Sequence, residues 1–569
     1  MQEDLDFLFP QKEKVSLSEF KILFPYLKTH LKSFILASIF LIISSFITVP
    51  IPYLTKMVID KVLLGNKDVR LLFNLIIVMA VLHIARSIFS GITQYLFVKL
   101  NQEIIVTLKS DLFKKILKLP FSFYDRAQTG YLLSRIGEAE GLGLFFSSNL
   151  VGQLIRLGEF IFALCMLLYL NWKLTIIALL ILPFYYFALK PLADRISYVT
   201  KEILESSAKL MGKVQERISG AEVIKLFVAE EREAEKIEKG FKELGRKNIL
   251  QSIIFTLFAE FNITLTALGG LLILWRGGID IINGTFTLGS YIAFTAYVQR
   301  LYAPIQSLAT FNFTLYPALV SLKRVAEIME ITQEEGGDIQ INELRGNISF
   351  NDVSFSYHEN NRVLEDINLE IKEGEKVAII GPNGSGKTTL IRLLLRMYKP
   401  QKGKIFIDGI DLERIKLSSL REKIGIISQN VFLFNDTVKN NISYSRPDIS
   451  DEELIKLLKE TDLYDFFIEG FPKGLDTVIG ERGVRISGGQ RKIIAFLRAI
   501  LKNPKILILD EATSEADTIV EEKIFKFIKE KMKNTTCIII TPKNLLEKNF
   551  VDKLVYLSKG RIVEIIDEK

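Results

Sequence analysis

The 569-residue chain has two cysteines and three histidines, and each scarcity removes a class of explanation. Cys165 and Cys537 stand far apart in unlike surroundings, which argues against a disulfide framework. His30, His83 and His358 are too few for a multi-histidine metal site. No histidine lies beyond position 358, so any chemistry that needs one there is excluded. The formal net charge of +7 is a weak excess. It does not call for a nucleic-acid partner, because basic loops on the cytoplasmic side of a membrane produce it equally well. The stretch Met1 to Lys14 is acidic and has no apolar core beside basic residues, so no cleavable signal peptide is expected.

Apolar residues, by contrast, make up 49% of the chain and the mean hydropathy is +0.25, which excludes a disordered chain and disfavours a purely soluble one. The excess sits in the first half. Residues 17–32 mix apolar and basic positions like a helix lying on a membrane surface. Phe34 to Leu54 carries no charge and is long enough to cross about 30 Å of hydrocarbon. Five more candidate spans follow near 71–98, 144–170, 172–191, 247–275 and 287–315. The third and fourth are separated only by Asn171-Trp172-Lys173, and the fifth and sixth by a short glycine-bearing stretch. The connections 99–143 and 192–246 are long, charged and helical in pattern, with Lys109, Lys114, Lys115, Lys118, Arg195 and Lys201 among their cations and Lys190 just ahead of the second. The excess of cations in cytoplasmic loops places both connections, and both chain ends, in the cytoplasm.

Ionisable residues inside the spans are costly facing lipid, by roughly 2.5–3.5 kcal/mol on insertion scales. His83, Arg86, Arg156, Glu159, Glu260 and Arg300 should therefore face protein or a wet cavity. One reading is helix-to-helix pairing, for instance Arg156 with Glu159. The other is a cavity that handles a polar or charged part of a substrate, for which the mid-span Arg86, Glu260 and Arg300 are the candidates.

Near residue 330 the composition changes, and the polar stretch 333–346 reads as a linker. The expected domains are residues 1–330, with six membrane helices and two long cytoplasmic loops, and residues 331–569. In the second, an apolar strand (Val377–Ile380) runs into Gly381-Pro382-Asn383-Gly384-Ser385-Gly386-Lys387-Thr388-Thr389 and then a helical pattern. This is G-x-x-x-x-G-K-[ST] in its strand–loop–helix setting. Glycines let backbone N–H groups curl around phosphates, and the helix N-terminus adds positive potential. Lys387 is placed to reach the β- and γ-phosphates of ATP, and the Thr388 hydroxyl to ligate Mg²⁺. About 120 residues later, ILILDE ends a buried strand on Asp510 and Glu511. Asp510 suits the carboxylate of the Mg²⁺ site, and Glu511 a residue that orients or deprotonates attacking water.

Between these lies Ile486-Ser487-Gly488-Gly489-Gln490. Together with 381–388 and 506–511 it resembles the ABC ATPases, in which the corresponding signature loop reads LSGGQ. With six spans ahead of it, the whole chain resembles the half-transporters of the ABC exporter family. The resemblance implies a multi-domain membrane protein, a six-helix all-α transmembrane domain followed by an α/β P-loop ATPase domain. It implies Tyr357 as the aromatic stacking on adenine, and Gln429 as the residue that contacts Mg²⁺ or water and faces the membrane domain. Residues 477–483 resemble the exporter-specific loop before the signature, and Asp517 the D-loop aspartate. Residues 121–130 and 217–227 resemble coupling helices that rest on the ATPase domains. It further implies that Ser487 and Gly489 reach the γ-phosphate held by an opposite subunit, hence an obligate dimer. Such a dimer would export or flip a drug, lipid or peptide across the cytoplasmic membrane by alternating access.

The chain departs from that pattern at one place. After the strand Thr536–Ile540 the family places a switch histidine, where this chain has Pro542. Proline offers neither a side-chain donor nor an N–H. Losing one donor from a transition-state clamp costs roughly 10²–10³ in rate. The favoured expectation is a second half-transporter as heterodimeric partner, this chain supplying the slower site. The alternatives are a homodimer with slow sites or with Lys543 as substitute donor, and an ATP-gated conduit or regulatory membrane protein.

Overall fold

The computed structural model describes residues 19–127, 129–358, 361–480, 483–511, 518–541 and 550–567. The chain divides into two compact units: residues 1–118 with 127–331, and residues 119–126 with 332–569.

Among the described residues the regular structure of the first unit is all helix. Its principal helices are α1 (Leu31–Phe46), α2 (Ile51–Met57), α3 (Val69–Leu117), α4 (Ser148–Ser219), α5 (Glu230–Ile282) and α6 (Leu288–Glu330). Among the described residues four segments are apolar and long enough to cross a membrane: Leu31–Asn66, Val69–Leu117, Gly130–Phe184 and Glu230–Ile282. The segments expected as the fourth and sixth spans lie in α4 beyond Asn171 and in α6. Asn171 alone leaves helical geometry within α4, at φ −162° and ψ 103°. Its side chain accepts hydrogen bonds from the N–H groups of Lys173 and Leu174, so it caps the stretch that follows. The helices outrun the expected spans, so one helix carries a span and its cytoplasmic continuation, and α4 and α6 run on through Pro191 and Pro317.

Phe34 to Leu54, expected as one continuous span, is interrupted. Residues 47–50 form a turn between α1 and α2, and Val58–Asn66 winds as a π-helix. The cause is local: Pro50 starts α2, and Pro52 has no N–H to give to the Thr48 carbonyl one turn back. The Ile51 N–H reaches that carbonyl at 3.2 Å instead, and helix α6 adds further donors. Arg300 Nη2 donates to the Thr48 carbonyl at 2.8 Å and its Oγ1 at 3.0 Å, and the buried Tyr297 hydroxyl donates to the Val49 carbonyl at 2.9 Å.

The second unit holds two sheets. An antiparallel sheet orders its strands β2-β1-β4-β5, built from β1 (Ile348–His358), β2 (Asn361–Ile371), β4 (Lys402–Ile407) and β5 (Ile410–Asp411). The larger sheet orders β10-β9-β3-β8-β7-β6, with β3 (Lys376–Ile380), β6 (Ile424–Ile427), β7 (Ile506–Asp510), β8 (Thr536–Thr541), β9 (Lys553–Ser558) and β10 (Arg561–Asp567). All its pairings are parallel except β9 with β10. Strands β3 and β7 are buried along their whole length, as continuous apolar runs covered on both faces should be. Because β8 lies between them, the loops at the C-terminal ends of β3 and β7 converge on one edge of the sheet, where α/β proteins build ligand sites.

Candidate functional site

The P-loop joins β3 to α7 (Lys387–Leu394). Gly384 and Gly386 adopt φ of +78° and +104°, a region closed to most side chains. Gly386 is also the N-cap of α7, so the turn that aims the N–H groups is the turn that starts the helix. Lys387 is buried, and its ammonium donates to the Gly381 carbonyl at 2.7 Å and the Pro382 carbonyl at 3.0 Å. The lysine thus closes the loop on itself and holds its charge where phosphates would enter. The buried Ser385 hydroxyl has no hydrogen-bond partner among the described residues, an orphan that a phosphate oxygen in the cradle would satisfy.

Asp510 ends β7 with its carboxylate 3.5 Å from the Thr388 hydroxyl. Burial holds its carboxyl above the ordinary carboxylate range, and the adjacent Glu511 adds to the rise. A buried carboxylate beside a hydroxyl is a hard-oxygen donor pair suited to Mg²⁺, with phosphates and water completing the shell. Glu511 follows at φ +48°, a strained value for a residue with a side chain. Its N–H donates to the Ile540 carbonyl at 3.1 Å, and Gln429 Nε2 donates to its Oε2 at 2.7 Å. The structure therefore brings Gln429 and Glu511 together beside the Asp510–Thr388 pair.

Tyr357, at the end of β1, shares a 3.1 Å hydrogen bond with Thr389 and packs edge-on against Phe355 and Tyr398. Segment 119–126 belongs to this unit and joins the cluster. Asp125 pairs with Arg392 at 3.1 Å and accepts a hydrogen bond from Tyr398, while Arg392 lies over the Phe121 ring at 5.6 Å. The sequence singled out 121–130 as a coupling segment but gave no sign of these partners, since all lie more than 250 positions away.

The signature residues open α8 (Gly488–Ile500). Ser487 is its N-cap: its hydroxyl accepts from Gln490 N–H at 3.1 Å and the Gln490 side chain accepts from Ser487 N–H at 2.9 Å, a reciprocal capping box. Ile486, Gly488 and Gly489 remain partly exposed around it. Asp517, Pro542 and Lys543 lie outside the described residues.

Within the membrane unit, Arg300 gathers a polar cluster from three helices. Besides Thr48, its charged neighbours are Glu159 and Arg86, and Glu159 accepts a hydrogen bond from Ser45. No ion pair joins Arg156 to Glu159 among the described residues, so the local pairing read from their spacing is replaced by contacts between helices. Glu260 is not part of this cluster. It is exposed on α5, two positions and about 200° around the helix from the buried Phe258.

Comparison with known proteins fits both units. The family model of the ABC transporter transmembrane region matches residues 34–305, and that of the ABC transporter matches residues 364–514. A putative multidrug export ATP-binding/permease protein of Bacillus subtilis is 32% identical over 95% of this chain and 94% of its own length. An ATP-dependent lipid A-core flippase of Desulfotalea psychrophila is 33% identical over 90% of each chain. A solved bacterial Atm1-family ABC exporter with ATP bound shares the fold, with a TM-score of 0.81 over 95% of each chain at 23% identity.

Proposed function

This chain belongs to the ABC transporter family, with membrane and ATPase parts fused in one polypeptide, and on that premise we propose how its own residues work and what it moves. It is a multi-pass membrane protein that couples ATP hydrolysis to export, and exporters of this kind act as dimers. The observation that carries the residue assignments is the constellation of Lys387, Thr388, Asp510, Gln429 and Glu511 at one edge of the sheet. The loop Gly381, Pro382, Asn383, Gly384, Ser385 and Gly386 wraps the phosphates, with Tyr357 and Thr389 at the adenine side. Thr388, Asp510 and Gln429 would hold Mg²⁺, which when bound would supply positive charge against the phosphates. Glu511, aimed by Gln429, orients the attacking water and accepts its proton.

Ile486 to Gln490 would meet the ATP of the opposite subunit. Two nucleotides then close the ATPase pair, and hydrolysis releases it, so ATP drives the cycle through its greater affinity for the closed state. The cargo is a hydrophobic or amphipathic molecule, in keeping with the multidrug and lipid names of the relatives. Arg300 and Arg86, set against Glu159, handle its polar part.

Pro542 at the switch position supports a heterodimer in which this chain's own P-loop site is the slower one. The test is ATP turnover by the purified chain alone, alongside the variant Pro542→His. Slow turnover that rises about 10-fold or more in the variant supports the reading. Fast turnover by the unmodified chain alone contradicts it and favours a homodimer.

A further inference from the structure

Glu511 holds a backbone conformation that few residues with side chains adopt, at φ +48°. Such a conformation persists only where its surroundings over-determine it. Ile540 fixes the N–H of Glu511 and Gln429 its carboxylate. The carbonyl is held by a third group from a different element: the Lys492 ammonium donates to it at 2.6 Å. Lys492 is only 4% exposed. Burying an ammonium is expensive unless it is well hydrogen-bonded, and charged donors make the stronger bonds.

Lys492 stands on α8 five positions beyond Ser487, whose capping box locks the signature loop to the first turn of that helix. Five residues of helix span about 7.5 Å, too short for the helix to bend between them. A shift of the signature loop, when it meets or leaves a nucleotide, therefore carries Lys492 with it, and Lys492 bears on the peptide of Glu511.

We propose that Lys492 is a positioning residue that sets the orientation of Glu511 and ties it to the placement of the signature helix. A single chain thereby links the nucleotide its signature touches to the water-activating carboxylate of its own P-loop site. The inference rests on the reading of Glu511 as the residue that activates water.

The test compares steady-state ATP hydrolysis by the full-length chain purified alone in lipid nanodiscs, where no partner chain's site contributes, as wild type, Lys492→Met, Lys492→Arg and Glu511→Gln. Methionine keeps the apolar stem and removes the donor; arginine keeps a charged donor. The expected result is loss of turnover in Glu511→Gln and a fall in kcat of about 10- to 100-fold in Lys492→Met, the effect of one charge-assisted hydrogen bond. KM for ATP should stay within about twofold, and Lys492→Arg should recover most of the rate. An unchanged kcat in Lys492→Met, beside an inactive Glu511→Gln, overturns the inference and leaves the role of Glu511 standing. So does equal loss in the methionine and arginine variants with a raised KM, which marks a purely structural lysine. Full turnover in Glu511→Gln overturns the role of Glu511 and the inference with it.

Discussion

Two glycines of the P-loop should respond differently to the same substitution. Both Gly384 and Gly386 have positive φ, so a Cβ at either one costs about 1–3 kcal/mol in backbone strain. At Gly384 the added methyl would meet nothing within 4 Å. At Gly386 it would stand 2.6 Å from Leu364 Cδ2 and 3.0 Å from the Val363 carbonyl oxygen. The leucine methyl can rotate aside, but the carbonyl belongs to strand β2 and cannot. Overpacking of that kind adds about 1–3 kcal/mol. The loop can relieve it only by turning away from β2, which disperses the N–H groups at the start of α7. Gly386→Ala should therefore weaken ATP binding by about 10- to 100-fold more than Gly384→Ala, at 1.4 kcal/mol per tenfold. Equilibrium binding of ATP to the detergent-purified variants, with thermal unfolding of the nucleotide-free protein beside it, reads both costs. Wild-type affinity in Gly386→Ala, or greater damage in Gly384→Ala, would refute the cradle as described.

Asp510 is held with a raised carboxyl pKa by burial and by Glu511, so its ionised form opposes folding: its contribution to stability is greatest at low pH and is lost as pH rises through the raised value. Asp510→Asn should then make the nucleotide-free protein melt higher at neutral pH while abolishing Mg²⁺-dependent turnover; a lower melting temperature contradicts the assigned cause. Arg300→Gln should raise the half-maximal concentration of a transported amphiphile by about 10-fold, the loss of a charged contact, and an unchanged dose response removes Arg300 from the cargo path. Cys537 is fully buried in β8 and its thiol is pushed up to about 12, so it should resist maleimide in the folded protein and react on unfolding. Peptide mapping that finds Cys537 labelled under native conditions would show that β8 opens.

What was legible in the sequence had its residues side by side. The strand and loop at 376–389, the acidic pair at 510–511 and the signature at 486–490 each carry their chemistry in consecutive positions, and the fold sets the first two at the ends of β3 and β7 and the third at the start of α8. The cluster of Ser45, Thr48, Glu159 and Arg300 was not legible, because its members come from α1, the turn after it, α4 and α6, and only packing joins them. Arg300 looked like a cargo residue from its depth alone. Its hydrogen bond to the Thr48 carbonyl has a second origin, the donor that Pro52 withholds. Lys492 was hidden for a related reason: a lysine in a helix reads as a solvated face, and only the burial of α8 turns it inward.

The account stands most directly on whether ATP hydrolysis moves cargo. In sealed proteoliposomes with the assembled transporter, accumulation of an amphipathic dye against its gradient should require ATP and should vanish when a non-hydrolysable ATP analogue replaces it. Movement of the dye that only runs down its gradient, and is equal with ATP and with the analogue, would contradict the account and describe a gated conduit instead.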